Sequence, residues 1–379
     1  MRIFYFLDQM IQLIQIIWYI FLASAAILLI YNLVSLLSIL FYNKKFKNHS
    51  QGVSVVICAI NELENLKELI PQLLQQTYKN FELIIVDDRS DDDTYYYLKT
   101  LADENEKIKH VRIDSTPDHI NEKKYAIFLG VKASTNDIVL LTDSDCRPAS
   151  TQWIAKMTQP FSQKNTKIVL GFSPYEKTKG LLGNYIIFET FLTAISYFTF
   201  AMLGRPYMGV GRNMAYRKSF FLENEGFKGF QKVLGGDDDL FVNKNAKKDN
   251  TAVVLDSEAK TVSKPKNSWD RYFVQKTRHL SVGKYYKKGD RFLLGVLFIS
   301  KLLFWLTFIP VIVAEFKPIW TLSGFIGVLV LFLTSYIVFR KKLKDSKGAW
   351  NIILLDIIHI FYYLSVGLKV KFTKKVKWS

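Results

Sequence analysis

VSVVICAINELENLKELIPQLLQQTYKNFELIIVDDRS, Val53 to Ser90, decides the fold. VSVVICAI is a continuous apolar run of strand length, the pattern of a parallel strand covered on both faces. NELENLKELIPQLLQQT then sets apolar residues at helical spacing, with Asn61 placed to cap the start. FELIIVDDRS is a second buried strand ending in acids, and DDDTYYYLKTLADENE a second helix. Working outward, VRIDS reads as a third short strand, NEKKYAIFLGVKAS as a third helix and DIVLLTDSD as a fourth strand. This alternation predicts an α/β, doubly wound parallel sheet. Ligands of such sheets bind beyond the carboxyl ends of the strands. Three sets of acids fall there: Glu62, then Asp87 and Asp88, then Asp143 and Asp145.

The flanks have a different composition. Ile11 to Tyr42 carries no charge and is followed at once by NKKFK. About 20 such residues cross a bilayer as a helix, and a cleaved signal has a shorter apolar core, so a retained anchor is expected. Its lysines place that end in the cytoplasm and the short N-terminus outside. Phe292 to Glu315, interrupted by Lys301, and Ile319 to Phe339 read as two further spans joined by an EFKP turn at the far face. Trp350 to Leu368 is also apolar, but a span there would put the lysine-rich tail outside, so an interfacial or re-entrant segment is expected. The domain division that follows is an N-terminal anchor over 1–50, a cytoplasmic catalytic domain over 51–290, and a C-terminal transmembrane and interfacial region with a basic tail over 291–379. The location expected is integral to the inner (cell) membrane. Within the central domain, GLLGNYIIFETFLTAISYFTFAMLGRPY is apolar around Glu189 and reads either as an interfacial helix or as a core helix.

The formal charge of +17 is compatible with nucleic acid, but the lysines crowd the ends of the apolar segments, where anionic lipid would attract them. A membrane partner is expected and nucleic acid is not. Cys58 and Cys146 fit neither a disulfide framework nor a metal spacing. No Gly-rich phosphate loop of the dinucleotide or Walker type follows the first strand, which disfavours both of those chemistries. A transporter is disfavoured by the lack of symmetric halves.

Asp143 and Asp145, at i and i+2 around Ser144, suit a hard divalent cation, which takes one or two carboxylates together with substrate phosphate oxygens; the same residues would also begin a turn. Asp87 and Asp88 can accept from a base or ribose, or cap a loop. Lys123 and Lys124 can meet phosphate or remain solvated. VLGGDDDLFVNK sets Asp237, Asp238 and Asp239 after two glycines, where one acid can serve as a general base, or all can simply complement a helix N-terminus. QKTRHLSVGKYY offers Gln275, Arg278 and His279, either as a diphosphate-holding face or as a basic face on lipid.

Taken in order, VSVVICAINELENL, IIVDDRSDDDT, KKYAIFLGVKAS, LLTDSDC, GVGRNMAYRKSFF, GGDDDLF and QKTRH resemble the membrane-associated family 2 glycosyltransferases. That group includes cellulose, chitin and hyaluronan synthases and ceramide glucosyltransferase. The resemblance implies a glycosyltransferase A fold and an inverting, metal-dependent transfer from a nucleotide-sugar donor, UDP-linked by expectation, to a lipid or saccharide acceptor. It implies Asp87, Asp88 and Glu62 near the nucleoside, Lys124 near phosphate, and Asp143, Ser144 and Asp145 as the motif holding Mg2+ or Mn2+ and the sugar diphosphate. Gly211 and Asn213 become acceptor contacts. The register of the base is open between Asp238 and Asp237, with Asp238 favoured. Gln275 and Arg278 match QxxRW, but His279 replaces its Trp, which points to single transfer rather than processive extension. A silent nucleotide-sugar-binding scaffold among polysaccharide assembly partners is the alternative, and it would leave gaps at the metal or base positions.

Overall fold

The computed structural model describes residues 2–345 and 349–372. The end of RKKLKDSK and the tail beyond 372 lie outside the described residues. Nine strands occur among them: β1 (Val53–Ala59), β2 (Phe81–Asp88), β3 (Ile108–Ile113), β4 (Ile138–Asp143), β5 (Cys146–Pro148), β6 (Ile168–Leu170), β7 (Met214–Arg217), β8 (Thr251–Val253) and β9 (Thr261–Ser263). The α-helices are α1 (Arg2–Phe41), α2 (Leu63–Leu74), α3 (Thr94–Glu104), α4 (Glu122–Ala133), α5 (Trp153–Thr158), α6 (Gly180–Met202), α7 (Lys218–Glu223), α8 (Asp239–Asn245), α9 (Trp269–Val282), α10 (Lys288–Val313), α11 (Pro318–Lys342) and α12 (Ile352–Phe372).

Seven strands form one sheet in the order β3-β2-β1-β4-β7-β6-β8, and β5 pairs with β9 in a small second sheet. The first four are parallel, as the alternation of strands and helices requires, and β7 runs antiparallel to β4 and β6. Register places Asp87 opposite Ala59 and Asp143 opposite Cys58. The acid-bearing ends of β2 and β4 therefore flank the end of β1. Alternation along β1 divides the core: Val53, Val55 and Ile57 pack with Leu66, Leu69 and Leu73 of α2, whereas Val56 faces the side carrying Ala126, Ile127 and Val131 of α4.

Three details of the sequence reading are corrected. Asn61 is not the cap of α2. It sits at φ 54 while Glu62 occupies the N-cap, and Asn61 instead stitches strand ends, its N–H donating to Ser90 Oγ at 2.9 Å and its Oδ1 accepting from Asp91 N at 2.9 Å. The third strand starts at Ile108, ahead of VRIDS, because its pairing with β2 runs back to Leu83. α1 begins nine residues before Ile11, since Asp8 and Gln9 do not interrupt a helix that is apolar on either side of them.

Among the described residues five helices, α1, α6, α10, α11 and α12, are long and apolar enough to cross a membrane. α1, α10 and α11 form a bundle in which Trp18 donates to Thr321 at 3.2 Å near one end. Near the other, Ser35 meets Thr199 at 2.9 Å and Ser335 at 3.2 Å. The turn between α10 and α11 carries Glu315 and Lys317 at positive φ. α6 lies between this bundle and the sheet. On one side Tyr197 donates to Gly171 O at 2.8 Å, and on the other Phe191 packs on Tyr336 of α11. α6 is thus a buried layer, as the core-helix reading expects. α12 is one unbroken helix rather than a re-entrant loop, and it packs mainly on α9, with α6 and α10 beside it.

α4 lies close to the sheet because residue 130 is glycine. A Cβ there would stand 2.5 Å from Val56 Cγ1 and 3.1 Å from Val86 Cγ2, both on buried strands. Gly130→Ala is expected to destabilise the protein by about 1–3 kcal/mol, the usual range for overpacking a filled core. A lowered midpoint of thermal unfolding in detergent checks this, and an unchanged midpoint contradicts it.

Candidate active site

A cavity of about 1480 Å³ opens at the carboxyl ends of β1, β2 and β4 and continues between the helices. Its sheet-side wall gathers Glu62, Asp88, Lys123, Asp143, Ser144, Asp145, Gly211, Asp237, Asp238, Asp239, Gln275, Arg278 and His279. Residues spread over more than two hundred positions are thus brought to one chamber by the sheet topology and by α9.

The centre of the chamber is a charge cluster. Lys123, from the first turn of α4, places Nζ 2.9 Å from Asp143 Oδ1 and 3.9 Å from Asp237 Oδ2. Burial would discharge this lysine, but the surrounding carboxylates hold its pKa above the ordinary value. Burial likewise opposes ionisation of Asp143, and the Lys123 charge and hydrogen bond outweigh it, keeping that carboxyl below the usual range. Asp145 makes only long contacts from Ser263 Oγ, 3.4 Å, and Cys146 Sγ, 3.6 Å. It is the more available carboxylate of the pair. Two strand-end acids facing a cavity with cationic walls fit a divalent ion completed by phosphate oxygens. Among the described residues no group of three or more acids, histidines or cysteines forms a self-sufficient metal site.

Asp238 differs. Its Oδ2 accepts from Gly211 N at 2.7 Å and its Oδ1 from Asp239 N at 2.7 Å, which aims the carboxylate across the start of α8. Burial and the adjacent Asp237 raise its pKa, and the two N–H donors only partly offset that. Asp239 points away, accepting from Tyr286 Oη at 2.6 Å, and burial plus Asp238 push its carboxyl well above the carboxylate range. Gly235 and Gly236, at φ 80 and 77, make the turn that delivers the three acids.

Three expected contacts lie off the cavity wall. Lys124 is fully buried and turned inward, donating Nζ to Val233 O and Gly235 O; it holds the loop before the acids instead of facing phosphate. Helical geometry explains the exchange, because adjacent residues of α4 point about 100° apart and only Lys123 faces the chamber. Asn213 is also fully buried, with its amide donating to Phe172 O and Ala259 O at 2.8 Å each while its Oδ1 accepts from Trp153 Nε1 at 2.9 Å. It ties the sheet layers together rather than touching an acceptor. Asp87 is paired with Arg112, accepts from Ser90 N at 3.1 Å, and has His110 Nε2 3.7 Å away. Although burial opposes ionisation, these partners lower its pKa to about 2, so it supports the rim as a fixed anion.

The structure adds one residue that sequence reasoning passed over and gives a role to one that it only noted. Arg212, between the two candidates Gly211 and Asn213, lies on the wall with its guanidinium 4.2 Å from the Tyr175 ring, and its buried Nη1 makes no hydrogen bond among the described residues. The signal was present in GVGRNM, but which of three neighbours faces inward depends on the tight turn at 211–213. Glu189, noted in the sequence as the acid of an apolar stretch, is the residue given a role. It gathers Lys276 Nζ at 2.6 Å, Tyr272 Oη at 2.8 Å and Tyr363 Oη, uniting α6, α9 and α12 below the chamber.

Residues 54–223 match the family model described as glycosyl transferase family 2. A "4,4'-diaponeurosporenoate glycosyltransferase" from Staphylococcus haemolyticus is 29% identical over 147 residues, 39% of this chain and 38% of that protein. An "uncharacterized glycosyltransferase" from Haemophilus influenzae is 28% identical over 136 residues, 35% of this chain and 40% of that one. The chain thus spans about two fifths of the length of these curated relatives. Among solved structures, the mannosyltransferase PcManGT from Pyrobaculum calidifontis, in complex with GDP-Man and Mn2+, aligns over 96% of this chain and 100% of its own at TM-score 0.59 and 15% identity. Sheet order, the acid-lined strand ends and the likeness in structure lead to one assignment: the sheet domain has the glycosyltransferase A fold, and residues 54–223 within it are similar to glycosyl transferase family 2.

Proposed function

We propose that the protein is a membrane-embedded, inverting glycosyltransferase that moves one sugar from a nucleotide-diphosphate donor to a hydroxyl of a lipid or saccharide acceptor. The observation that carries this reading is the separation of two carboxylate environments in one chamber. Asp143, two residues from Asp145, is kept anionic beside Lys123, whereas Asp238 is fixed by two backbone donors with its proton affinity raised. The first pair suits a cation and diphosphate, the second a general base.

On this reading Glu62 and Asp88 face the nucleoside, with Asp87 behind them as an anchored support. Lys123, Arg212 and Arg278 face the diphosphate, where Arg212 can present its planar fork to phosphate oxygens. Magnesium or manganese held by Asp145 and Asp143 would neutralise the diphosphate as it departs. Asp238 accepts the proton of the attacking hydroxyl as the new bond to the anomeric carbon forms and the bond to the diphosphate oxygen breaks. Gly211 and Asp239 N–H groups keep the carboxylate aimed. His279 faces the chamber, where desolvation, with the charges of Lys276 and Arg278, holds it well below its ordinary pKa, leaving a neutral ring at the acceptor side. A neutral imidazole offers less stacking surface than an indole, in keeping with single transfer. The basic ends of α1 and α11 lie on the sheet side, which supports a cytoplasmic catalytic domain. The mannosyltransferase complex with GDP-Man and Mn2+ supports a nucleotide-sugar donor and a divalent ion.

Purified full-length protein in nanodiscs, given a panel of UDP- and GDP-sugars, is expected to release nucleotide from at least one donor with Mn2+ or Mg2+ and to stop when the ion is chelated. Release indifferent to chelation contradicts the metal assignment. Asp238→Asn is expected to lower transfer by ~10²–10⁴-fold, the contribution of a positioned general base, while donor binding by calorimetry persists. Near-normal transfer by that variant removes Asp238 from the base role.

A further inference from the structure

The cavity exceeds the roughly 300–1,000 Å³ of an ordinary small-molecule site, because it does not end at the acids. Below Arg212 and Gln275 its walls become Leu294, Leu297 and Phe298 of α10 and Leu329 and Phe332 of α11. The charged groups at this depth are paired: Lys301 with Asp356, which also accepts from Trp305 Nε1 at 3.2 Å, and Glu189 with Lys276. The inner chamber therefore presents apolar surface and compensated charge.

It is also blind. Along α10 the lining starts at Arg291 and stops at Trp305, and its apolar part, from Leu294 on, spans roughly 16 Å at 1.5 Å per residue. The helix continues to Val313, roughly 12 Å further, and α11 begins at Pro318, roughly 15 Å before its first lining residue, Val328. That outer half is filled by stacked rings: Phe21 on Phe304 at 5.5 Å, Phe304 on Phe325 at 5.4 Å and Phe308 on Phe325 at 3.8 Å. A polysaccharide leaving through the bundle would have to displace this packing. An apolar chain would not, and the depth of the chamber matches one leaflet, about half of the ~30 Å hydrocarbon core.

We infer that the acceptor is an amphiphile whose hydroxyl-bearing head sits beside Asp238 and whose single-leaflet apolar tail fills the blind chamber between α10 and α11. The inference rests on the glycosyl-transfer reading above. The product is a glycosylated lipid that remains on the sheet side, and no glycan passes through the helices.

The test uses sealed inverted membrane vesicles holding the full-length protein, incubated with radiolabelled UDP- and GDP-sugars and Mn2+. Label is expected in butanol-extractable lipid. Leu297→Trp, which fills the chamber, is expected to lower lipid label at least tenfold relative to donor hydrolysed to water. Leu329→Trp is the second variant should the first fail to fold, as judged by Mn2+-dependent donor binding. Label in a water-soluble polymer or in the vesicle lumen overturns the inference. So does donor turnover with unlabelled lipid, or lipid labelling indifferent to both bulky substitutions. Absence of donor binding and turnover altogether instead overturns the glycosyl-transfer reading itself.

Discussion

Lys123 stands 2.9 Å from one carboxylate and 3.9 Å from another, and the whole site is arranged around that ammonium. Asp143 and Asp145 end β4, while Asp237, Asp238 and Asp239 precede α8, so the fold drives five acids toward one space. Buried like charges cannot all ionise unless cations accompany them. Two adjacent lysines of α4 divide this task. Lys123 faces the chamber and compensates the carboxylates directly, whereas Lys124 turns inward and clamps the carbonyls of the loop that carries the triad. One ammonium sets charge and the other sets position. A divalent ion bound at Asp143 would share that carboxylate with Lys123.

The same economy appears beneath the site. α6 is a mostly apolar helix pressed between sheet and bundle, and its one acid, Glu189, is fully buried. A buried carboxylate persists only when it is paired and hydrogen-bonded. Lys276, Tyr272 and Tyr363 supply those partners from two other helices, so the charge fixes how α9 and α12 sit on α6. Removing either charge would leave the other uncompensated in a dry layer, which is more damaging than losing both.

The sheet was legible because its signal is local. Val53 to Ser90 and the three elements after it have one period each, and burial on both faces leaves little room for another reading. The acids were legible for a related reason: strand ends in parallel sheets face the ligand, so Asp143, Asp145 and Asp88 could be placed before any contact was known. What failed were choices between neighbours. Lys123 and Lys124 differ only in which way one turn of α4 points, and Gly211, Arg212 and Asn213 only in a single tight turn. Asp87 was read as open because its partners, Arg112 and His110, lie on β3, whose register against β2 is a tertiary fact. Glu189 was noticed, but its function as a hub needs α9 and α12 in place. The layer position of α6 was undecided because interfacial and core helices share the same composition.

These two levels meet in α9. Its QKTRH segment presents Gln275, Arg278 and His279 to the chamber, while Lys276 and Tyr272, on the adjoining faces, are fastened to Glu189. Gln275 also donates to Tyr175 Oη at 3.3 Å, on whose ring Arg212 rests. The helix that carries Arg278 is therefore positioned by a contact made at the helix bundle, not by the sheet alone. A sheet with the correct strand-end acids but without α6 and α12 would lack a fixed Arg278 and a fixed His279. The long apolar helices are on this account part of the geometry of the candidate site, which is why one continuous cavity can extend from the acids into the bundle.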